Sequence, residues 1–459
     1  MIVEPARSIP VRDSVDVLVA GGGPAGIIAA EAAASDGLNV LLVESRNFLG
    51  GNLTVGLPIL GFLGRKGNQI IRGLPQKFID RLAEKNAASG HRACPLHVSL
   101  TIIDPEEVKR TALEVLTERG VKVLMYAFCC GVVMSDDKIS GVIIESKAGR
   151  EVIMAKTVID CTGDADIAFR AGVPCEKGND DGGMQPPTLM FCMKGVDVEK
   201  LRLSIADHPE MYDMDVIPNE FFREDNYFIT VGLRNRIKKA EEEGLKLCTE
   251  RTILITGLKK DEIWVNMSRI GGVDGTEPED LTRGEMEGLK QIEHLQTYLR
   301  RYVPGFERAS LHRVAPFLGI RESRRIRGKY VLTKEDILSC RYFEDAVAVA
   351  SYPLDLHHPQ DKGCTLIWCD DCYDIPYRSL LPAKVENLLV AGRAISTTHE
   401  ALSAIRVMSS CMAMGEAAGR AAKQAVRKNI PPSQIDVSEL RRELLSNGAF
   451  LRANTPTAL

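Results

Sequence analysis

An α/β fold is predicted, with a parallel-sheet domain interrupted by an inserted α+β domain. Val15–Ala20 and Asn39–Glu44 are short apolar runs, typical of buried parallel strands, and a Gly-rich turn and an Ala-rich helical segment separate them. From about residue 178 to 374, charged and partly helical stretches separate isolated strand-like runs. The first pattern then resumes at Leu388–Ala391, and a long Ala- and Met-rich helix is predicted from about His399 to Lys428.

The elements in between follow from local signals. Asp104–Gly120 has helical periodicity, with a proline in its first turn and Gly120 at its end. Apolar runs separated by tight turns then predict strands, at Val121–Val133, Gly141–Glu145, Glu151–Ala155 and Val158–Cys161. We therefore expect residues 1–177 and 375–430 to form one discontinuous domain, residues 178–374 the inserted cap domain, and residues 431–459 a C-terminal tail.

Composition excludes several classes of protein. The 459 residues carry a net charge of −4, which argues against a nucleic-acid-binding surface, because such surfaces are basic. The sequence contains no run of about 18 apolar residues, so we expect no membrane span. Residues 1–15 lack an apolar signal segment, and the twelve cysteines suggest free thiols in a reducing compartment. We therefore expect a cytoplasmic location.

The turn after the first strand has the pattern Gly21-x-Gly23-x-x-Gly26, between a strand and a helix. Gly21 allows the tight turn, Gly23 allows the backbone to approach a diphosphate, and Gly26 allows helix and strand to pack closely. The helix N-terminus adds N–H donors and positive potential. Glu44 ends the second strand, where a carboxylate accepts hydrogen bonds from ribose hydroxyls. The sequence therefore predicts a Rossmann-type dinucleotide site.

Three further segments indicate which dinucleotide binds. Glu44–Gly51 resembles the E-x(n)-GG extension of flavoproteins of the glutathione-reductase type. Ile159–Asp164 resembles the segment in which a later strand passes the cofactor, and Asn387–Arg393 resembles the second flavin motif. Arg393 stands where an acidic residue is usual, which puts the carboxylate contact to the ribityl chain in doubt.

These motifs, with the stretches Gly319–Arg325, Tyr352–His357, Ile375–Leu380 and Met412–Gly419, resemble one family over about residues 16–423. It is the FAD-dependent oxidoreductase family related to fumarate-reductase flavoproteins and heterodisulfide-reductase flavin subunits. The resemblance implies FAD but leaves the substrate open. The residues expected to bind FAD are Gly21, Gly23, Pro24, Ala25, Gly26, Glu44, Ser45, Arg46, Gly50, Gly51, Thr162, Gly163, Asp164, Gly392 and Arg393.

Two candidate catalytic residues lie on the predicted C-terminal helix. In the family the N-terminus of this helix points at the flavin, and its dipole together with His399 would stabilise negative charge on the reduced ring. The alternative is that His399 only caps the helix. Arg406 lies seven residues further, on the same helical face, where it would bind an anionic substrate or form a salt bridge at a domain interface.

The inserted domain supplies the other candidates. Asp355 and His357 lie two residues apart on a predicted strand and therefore face the same way, so the carboxylate would set the tautomer of the imidazole and raise its pKa. That pair is a candidate acid or base, or else a structural pair. Arg321, Arg324 and Arg325 have helical spacing and would bind a carboxylate or form an ion-paired face with Glu322.

The spacing Cys364-x4-Cys369-x2-Cys372 matches part of a plant-type iron–sulfur run. No fourth cysteine lies nearby in the sequence, so we expect no metal here, and a plain loop or a redox-active CxxC remain the alternatives.

Together these features predict an enzyme that transfers a hydride between the N5 atom of FAD and a small polar or anionic organic substrate. The alternative is an electron-transfer flavoprotein subunit that passes electrons to a partner protein. No second Gly-rich motif in strand–helix context is present, so no separate NADPH domain is expected. The sequence leaves open a redox partner protein and a homo-oligomer.

Overall fold

The computed structural model describes residue 2 and residues 6–34, 36–212, 219–224 and 227–453. The last six residues of the predicted tail, 454–459, therefore lie outside the described residues. The strands are β1 (Val11–Ala20), β2 (Val40–Val43), β3 (Ile59–Leu60), β4 (Arg92–Cys94), β5 (Val98–Thr101), β6 (Lys122–Leu124), β7 (Phe128–Ser135), β8 (Lys138–Ser146), β9 (Gly149–Asp160), β10 (Cys175–Glu176), β11 (Phe191–Lys194), β12 (Ile229–Gly232), β13 (Thr252–Thr256), β14 (Glu262–Val265), β15 (Ser310–Val314), β16 (Arg325–Ile326), β17 (Ala346–Ala350), β18 (Leu354–His357), β19 (Cys364–Ile367), β20 (Tyr373–Pro376) and β21 (Leu388–Val390). The α-helices are α1 (Pro24–Ala33), α2 (Leu74–Glu84), α3 (Pro105–Glu118), α4 (Asp166–Arg170), α5 (Val198–Asp207), α6 (Asn219–Glu224), α7 (Arg234–Glu242), α8 (Pro278–Tyr302), α9 (Lys334–Leu338), α10 (His399–Ile405), α11 (Met408–Lys428) and α12 (Val437–Ser446).

The main sheet contains the predicted β-turn-α-β unit. Strand β1 pairs in parallel with β2 on one side and with β9 on the other, and β2 pairs in parallel with β6. The second half of β9 also pairs in parallel with β21, which returns late in the chain. The carboxyl ends of β1, β2, β9 and β21 therefore meet at one edge of the sheet, where α/β proteins place their ligands. The predicted α/β fold with a parallel-sheet core is confirmed.

A second sheet is antiparallel throughout, in the order β12-β13-β14-β11-β15. In β12, Ile229 and Val231 alternate with Thr230, and residues that alternate along a strand face opposite sides of the sheet. One face packs in a hydrophobic cluster with helix α8, and the opposite face is turned towards the edge described above.

Some of the helices and strands predicted from the sequence are confirmed, and others are wrong. The helix predicted at Asp104–Gly120 is confirmed as α3, because Asp104 caps its N-terminus and Gly120 follows its end with a positive φ of 73°. The two strands predicted at Glu151–Ala155 and Val158–Cys161 form one continuous strand, β9. The single helix predicted from His399 to Lys428 is wrong. Val407 is extended, with ψ of 146°, and separates α10 from α11.

Helix α11 packs directly against α1. A Cβ atom on Gly415 would lie 2.2 Å from the carbonyl oxygen of Ala25, and one on Gly419 would lie 2.3 Å from that of Ala29. The Met-Gly-Glu-Ala-Ala-Gly stretch is therefore a contact surface that holds the start of α1 in place.

Two clusters of buried apolar side chains form the interior. The first contains the main sheet, α1 and α11, and it also includes Ile326 to Ala350 and Tyr373 from later segments. The second contains the antiparallel sheet and α8, from Leu189 to Leu318, with contributions from Val55 and Leu100. The predicted domain bounds at 177 and 374 stay a prediction. Among the helices of the described residues, none combines the length and apolarity needed to cross a membrane.

Candidate active site

A continuous cavity of about 860 Å³ lies between the carboxyl edge of the main sheet and the inner face of the second sheet. Its volume is within the range of about 300–1,000 Å³ that is usual for cofactor and substrate sites. One end is lined by the β1–α1 turn, and the other by β12, β13 and the segment around β18. The two ends can therefore hold different ligands, or different parts of a reaction, next to each other.

The β1–α1 turn has the geometry that its three glycines predict. Gly21 has a φ of 95°, and a Cβ atom there would lie 2.5 Å from the carbonyl oxygen of Cys161. At Gly26 a Cβ atom would lie 1.8 Å from the oxygen of Gly21, so strand and helix can pack only without it. At Gly23, by contrast, a Cβ atom would meet nothing within 4 Å, although this residue lines the cavity. The backbone at Gly23 therefore borders open space, into which α1 directs its N-terminus.

Glu44 and the residues after it line the same end. One carboxylate oxygen of Glu44 accepts a hydrogen bond from the N–H of Gly22 at 2.7 Å, and the other accepts from the N–H of Arg46 at 2.8 Å. The Arg46 guanidinium lies 3.8 Å from the centroid of the Phe317 ring, which holds it beside the cavity. Gly51 also lines the cavity. Gly50, which precedes it with a φ of 117°, does not, and neither does Gly26.

The segments after β9 and β21 meet at this cavity through an ion pair. The guanidinium of Arg393 lies 2.7 Å from the Asp164 carboxylate, which also accepts a hydrogen bond of 2.6 Å from the hydroxyl of Ser323. Thr162, Gly163 and Gly392 line the cavity beside this pair. Arg393 replaces the usual acidic residue, but Asp164 brings a carboxylate to the same place.

The opposite end brings together four predicted catalytic residues, Arg321, Asp355, His357 and Arg406. The Nε2 atom of His357 lies 3.5 Å from the Asp355 carboxylate, and a guanidinium nitrogen of Arg406 lies 3.6 Å from the same carboxylate. Arg321 donates to the carbonyl oxygen of Pro186 at 2.6 Å and to the hydroxyl of Thr188 at 2.8 Å. Asp355 is the one carboxylate among the described residues that line this end of the cavity.

The pKa of His357 is lowered to about 3, first because the imidazole is buried and then because Arg321 is close by. The expectation that Asp355 raises this pKa is therefore wrong in its net direction, since the attraction of the carboxylate is outweighed. For Asp355, burial alone would raise the pKa, but His357 and Arg406 hold it well below its usual value. Burial and then the neighbouring Arg406 lower the pKa of Arg321 to about 9. The end of the cavity thus contains a neutral imidazole, a carboxylate and an excess of positive charge.

Residues 16–444, nearly the whole chain, match the family described as FAD dependent oxidoreductase. The chain belongs to this family. Its cofactor is FAD, and the open backbone at Gly23, the N-terminus of α1 and the Glu44 carboxylate fit the diphosphate and the adenosine ribose of that cofactor.

Two curated relatives of this oxidoreductase align over about two fifths of its length. A thiamine thiazole synthase of Methanococcus vannielii is 31% identical over 196 residues, which cover 39% of this chain and 68% of that protein. A digeranylgeranylglycerophospholipid reductase of Methanococcoides burtonii is 25% identical over 207 residues, 41% of this chain and 47% of that protein. The aligned stretch thus spans less than half of the reductase. In structure, the p-nitrophenol 4-monooxygenase of Pseudomonas putida superposes with a TM-score of 0.50 and 12% identity, over 95% of this chain and 87% of that chain, which shows a shared fold.

His399 is the first residue of α10, at the start of the helix as the sequence predicts. Thr398 caps α10, because its hydroxyl accepts from the N–H of Ala401 at 3.2 Å, so the alternative role of His399 as the cap is wrong. The Nδ1 atom of His399 lies 2.9 Å from the buried Glu322 carboxylate, and the residue does not line the cavity. A role of His399 at the flavin stays a prediction that this position does not favour.

Arg406 reaches the cavity for a different reason from the one expected. It ends α10 as the C-cap residue, so its position depends on the break between α10 and α11 and not on a shared helical face. A guanidinium nitrogen donates to the backbone oxygen of Asp355 at 3.1 Å, and its Nε atom is buried without a hydrogen-bond partner. An unpaired buried N–H is costly, and a bound ligand can satisfy it.

The helix predicted for Arg321, Arg324 and Arg325 is wrong, because residues 321–324 form neither helix nor strand and Arg325 begins β16. Their side chains separate as a result. Arg324 pairs with Asp166 at 3.1 Å, and Arg325 forms a buried ion pair with Glu322. Of the three, only Arg321 reaches the end of the cavity that contains His357. Arg324 lines a different part of the cavity.

Sequence reasoning missed several residues at this end. Tyr352 donates to the Asp355 carboxylate at 3.3 Å, and His97 lies against the Tyr352 ring with centroids 6.3 Å apart. Arg251 lines the cavity at the start of β13, where its guanidinium contacts the Cys364 sulfur at 2.9 Å. Tyr352 could have been found from the sequence, because it lies three positions before Asp355. His97 and Arg251 could not, because they come from distant segments.

The three clustered cysteines do not share one site. Cys364 lines the cavity, whereas the Cys369 sulfur donates to the backbone oxygen of Asp371 at 3.2 Å and lies beside Cys340. Burial raises the pKa of Cys369 to about 12, so this thiol is protonated. In the described part of the chain, no group of three or more His, Cys, Asp or Glu residues is arranged to hold a metal ion. That these cysteines bind no metal stays a prediction.

Proposed function

We propose that this oxidoreductase transfers a hydride between FAD and a small polar or anionic organic substrate bound between Arg321, Arg406 and His357. The observation that carries the proposal is the continuity of the cavity. Residues expected to bind FAD line one end, and Arg321, Arg406, Asp355 and His357 line the other. A cofactor and a substrate in this cavity would therefore be in contact.

FAD, when bound, supplies hydride transfer at its N5 atom. The arginines then orient an anionic group of the substrate, since guanidinium groups form strong charge-assisted hydrogen bonds with carboxylates and phosphates. Burial of this end excludes bulk water and strengthens these interactions.

Proton transfer is assigned to the His357–Asp355 pair. A guanidinium nitrogen of Arg269 lies 3.3 Å from the Nδ1 atom of His357, and because arginine has only donors, Nδ1 is the acceptor. The proton of the neutral imidazole is then on Nε2, the nitrogen that faces Asp355. The neutral imidazole can accept a proton only at Nδ1, so we assign Nδ1 as the atom that takes the proton from the substrate, in place of its contact with Arg269. Asp355 accepts from the Nε2–H and stabilises the imidazolium while it exists.

The names of the relatives, a synthase and a reductase, leave the direction of the reaction open. The narrower relation to fumarate-reductase and heterodisulfide-reductase flavoproteins stays a prediction. The cysteine cluster would favour the electron-transfer alternative if it held iron and sulfur, and the separation of Cys364 from Cys369 gives that alternative no support. A redox partner protein, a homo-oligomer and a cytoplasmic location stay predictions.

The purified protein is expected to be yellow and to release FAD on denaturation. After photoreduction, mixing with a panel of small organic anions and neutral analogues should show faster flavin reoxidation with at least one anion, monitored by flavin absorbance. If the FAD-loaded protein is reoxidised at the same rate by every compound and by buffer alone, the proposed function is wrong.

Replacing Arg406 with alanine is expected to raise the half-saturating substrate concentration by about 10- to 150-fold, the equivalent of one lost charged hydrogen bond. The rate at saturation should change little if the contact is equal in the ground and transition states. Arg300→Ala, at an exposed position on α8, is the matched control. An unchanged half-saturating concentration in Arg406→Ala would contradict the assignment of Arg406 to substrate binding.

A further inference from the structure

The inner face of the second sheet presents an aliphatic surface to the cavity. Ile229 on β12 is directly opposite Ile255 on β13, and Val231 is directly opposite Ile253. Residues two apart on a strand face the same side, so the four side chains form one patch, and all four line the cavity. We call this patch the aliphatic wall.

Positively charged side chains lie at one end of the aliphatic wall. Arg251 precedes Ile253 by two residues and extends the same row of side chains along β13. Arg321 and Arg406 line the cavity as well, and Asp355 is the one carboxylate that faces them among the described residues at this end. The buried Nε atom of Arg406 has no hydrogen-bond partner. This end therefore presents more positive charge than the protein itself neutralises.

We propose, on the basis of the function proposed above, that the substrate is an elongated apolar molecule with a single anionic group. The anionic group binds to Arg321 and Arg406, and the apolar body lies along the aliphatic wall. From Arg251 to Ile255 the strand advances about 13 Å, at about 3.3 Å per residue. The wall can therefore contact a chain or ring system that is considerably longer than a small dicarboxylic acid.

The test is a calorimetric titration of the FAD-loaded protein with straight-chain carboxylates of increasing length, from acetate to dodecanoate. Affinity is expected to rise about three- to fourfold for each methylene group that contacts the wall, and then to level off. Straight-chain alcohols of the same lengths should bind at least about tenfold more weakly, because they lack the charge that the arginines attract. Alkyl phosphates form a parallel series, and binding of either anion supports the proposal.

Variants separate the two halves of the inference. Ile253→Asn should flatten the dependence on chain length, and Arg321→Met should remove the preference for anions over alcohols. Leu311→Asn, at an exposed position on β15 of the same sheet, is the matched control and should change neither. The flavin absorbance of each variant shows whether FAD is still bound.

The outcomes distinguish this inference from the proposed function. If the protein binds FAD and its affinity does not depend on chain length, or if alcohols bind as well as anions, the inference is wrong and the proposed function stands. A protein that cannot be loaded with FAD would contradict the proposed function itself.

Discussion

Replacing Gly23 with alanine is expected to weaken FAD binding strongly in a protein that still folds. In the folded chain a Cβ atom at this position meets nothing within 4 Å, and the residue has an ordinary negative φ of −78°. The added methyl group therefore neither collides with the protein nor strains the backbone. It would occupy the open space at the N-terminus of α1, where the diphosphate of FAD is expected to approach the backbone.

The expected loss is about 2–4 kcal/mol, or roughly 30- to 1,000-fold in FAD affinity, because two or more hydrogen bonds to a charged group are weakened. Bound FAD per polypeptide is measured from flavin absorbance after gel filtration, and the free energy of unfolding of the FAD-free protein is measured with denaturant. The FAD-free variant should be as stable as the FAD-free wild type.

Two other alanine substitutions serve as controls for Gly23→Ala. Gly26→Ala should impair folding as well as binding, because its Cβ atom would lie 1.8 Å from the oxygen of Gly21. Gly271→Ala should change neither, since the nearest atom to its Cβ would be 3.9 Å away and the position does not line the cavity. Full FAD content in Gly23→Ala would show that the cofactor does not approach this backbone.

The FAD end of the site is the part that the sequence predicts well. Its residues are close together in the chain or are joined by one strand pairing, and glycine spacing reports directly on backbone geometry. The positions of Gly23 and Glu44 at the cavity could therefore be predicted from the sequence. The ion pair between Arg393 and Asp164 could not, because it links residues more than 200 positions apart.

The substrate end is less predictable, for specific physical reasons. The break between α10 and α11 at Val407 contains no proline or glycine, the residues that usually indicate a helix end. Hydrophobic periodicity therefore predicted one helix that continues through Arg406. The spacing of Arg321, Arg324 and Arg325 suits a helix, but this segment forms none, and Arg321 instead makes tertiary contacts. The aliphatic wall depends on the register between β12 and β13, which pairs Val231 with Ile253, 22 residues later in the chain.

The sign of the pKa shift of His357 could not be predicted either. Sequence adjacency to Asp355 suggests a raised pKa, but the pair is buried and Arg321 comes from another segment. Burial disfavours the charged form of histidine, and here this effect exceeds the attraction of one carboxylate. Local sequence identifies the partners of a group, whereas burial decides which effect is larger.

Replacing His357 with alanine is expected to leave FAD bound but to slow flavin reduction or reoxidation by substrate by about two to four orders of magnitude. The imidazole lines the cavity, and its Nε2 atom lies 3.5 Å from the Asp355 carboxylate. Removing it takes away the group that we assign to proton transfer, while the β1–α1 turn is untouched. Stopped-flow absorbance at the flavin band measures the rate constant at saturating substrate.

The pH dependence gives His357→Ala a second, independent readout. Because the pKa of His357 is lowered to about 3, the imidazole is neutral throughout pH 5–8, and protonation would begin only below that window. The wild-type rate constant should therefore show no step near the ordinary histidine pKa of about 6.5. Asp355→Asn should also slow the reaction, since an amide cannot stabilise the imidazolium. His294→Ala, at an exposed position on α8, is the control and should react normally. Normal turnover in His357→Ala, or a wild-type step near pH 6.5 that this variant removes, would show that the proton is carried by another group or in another charge state.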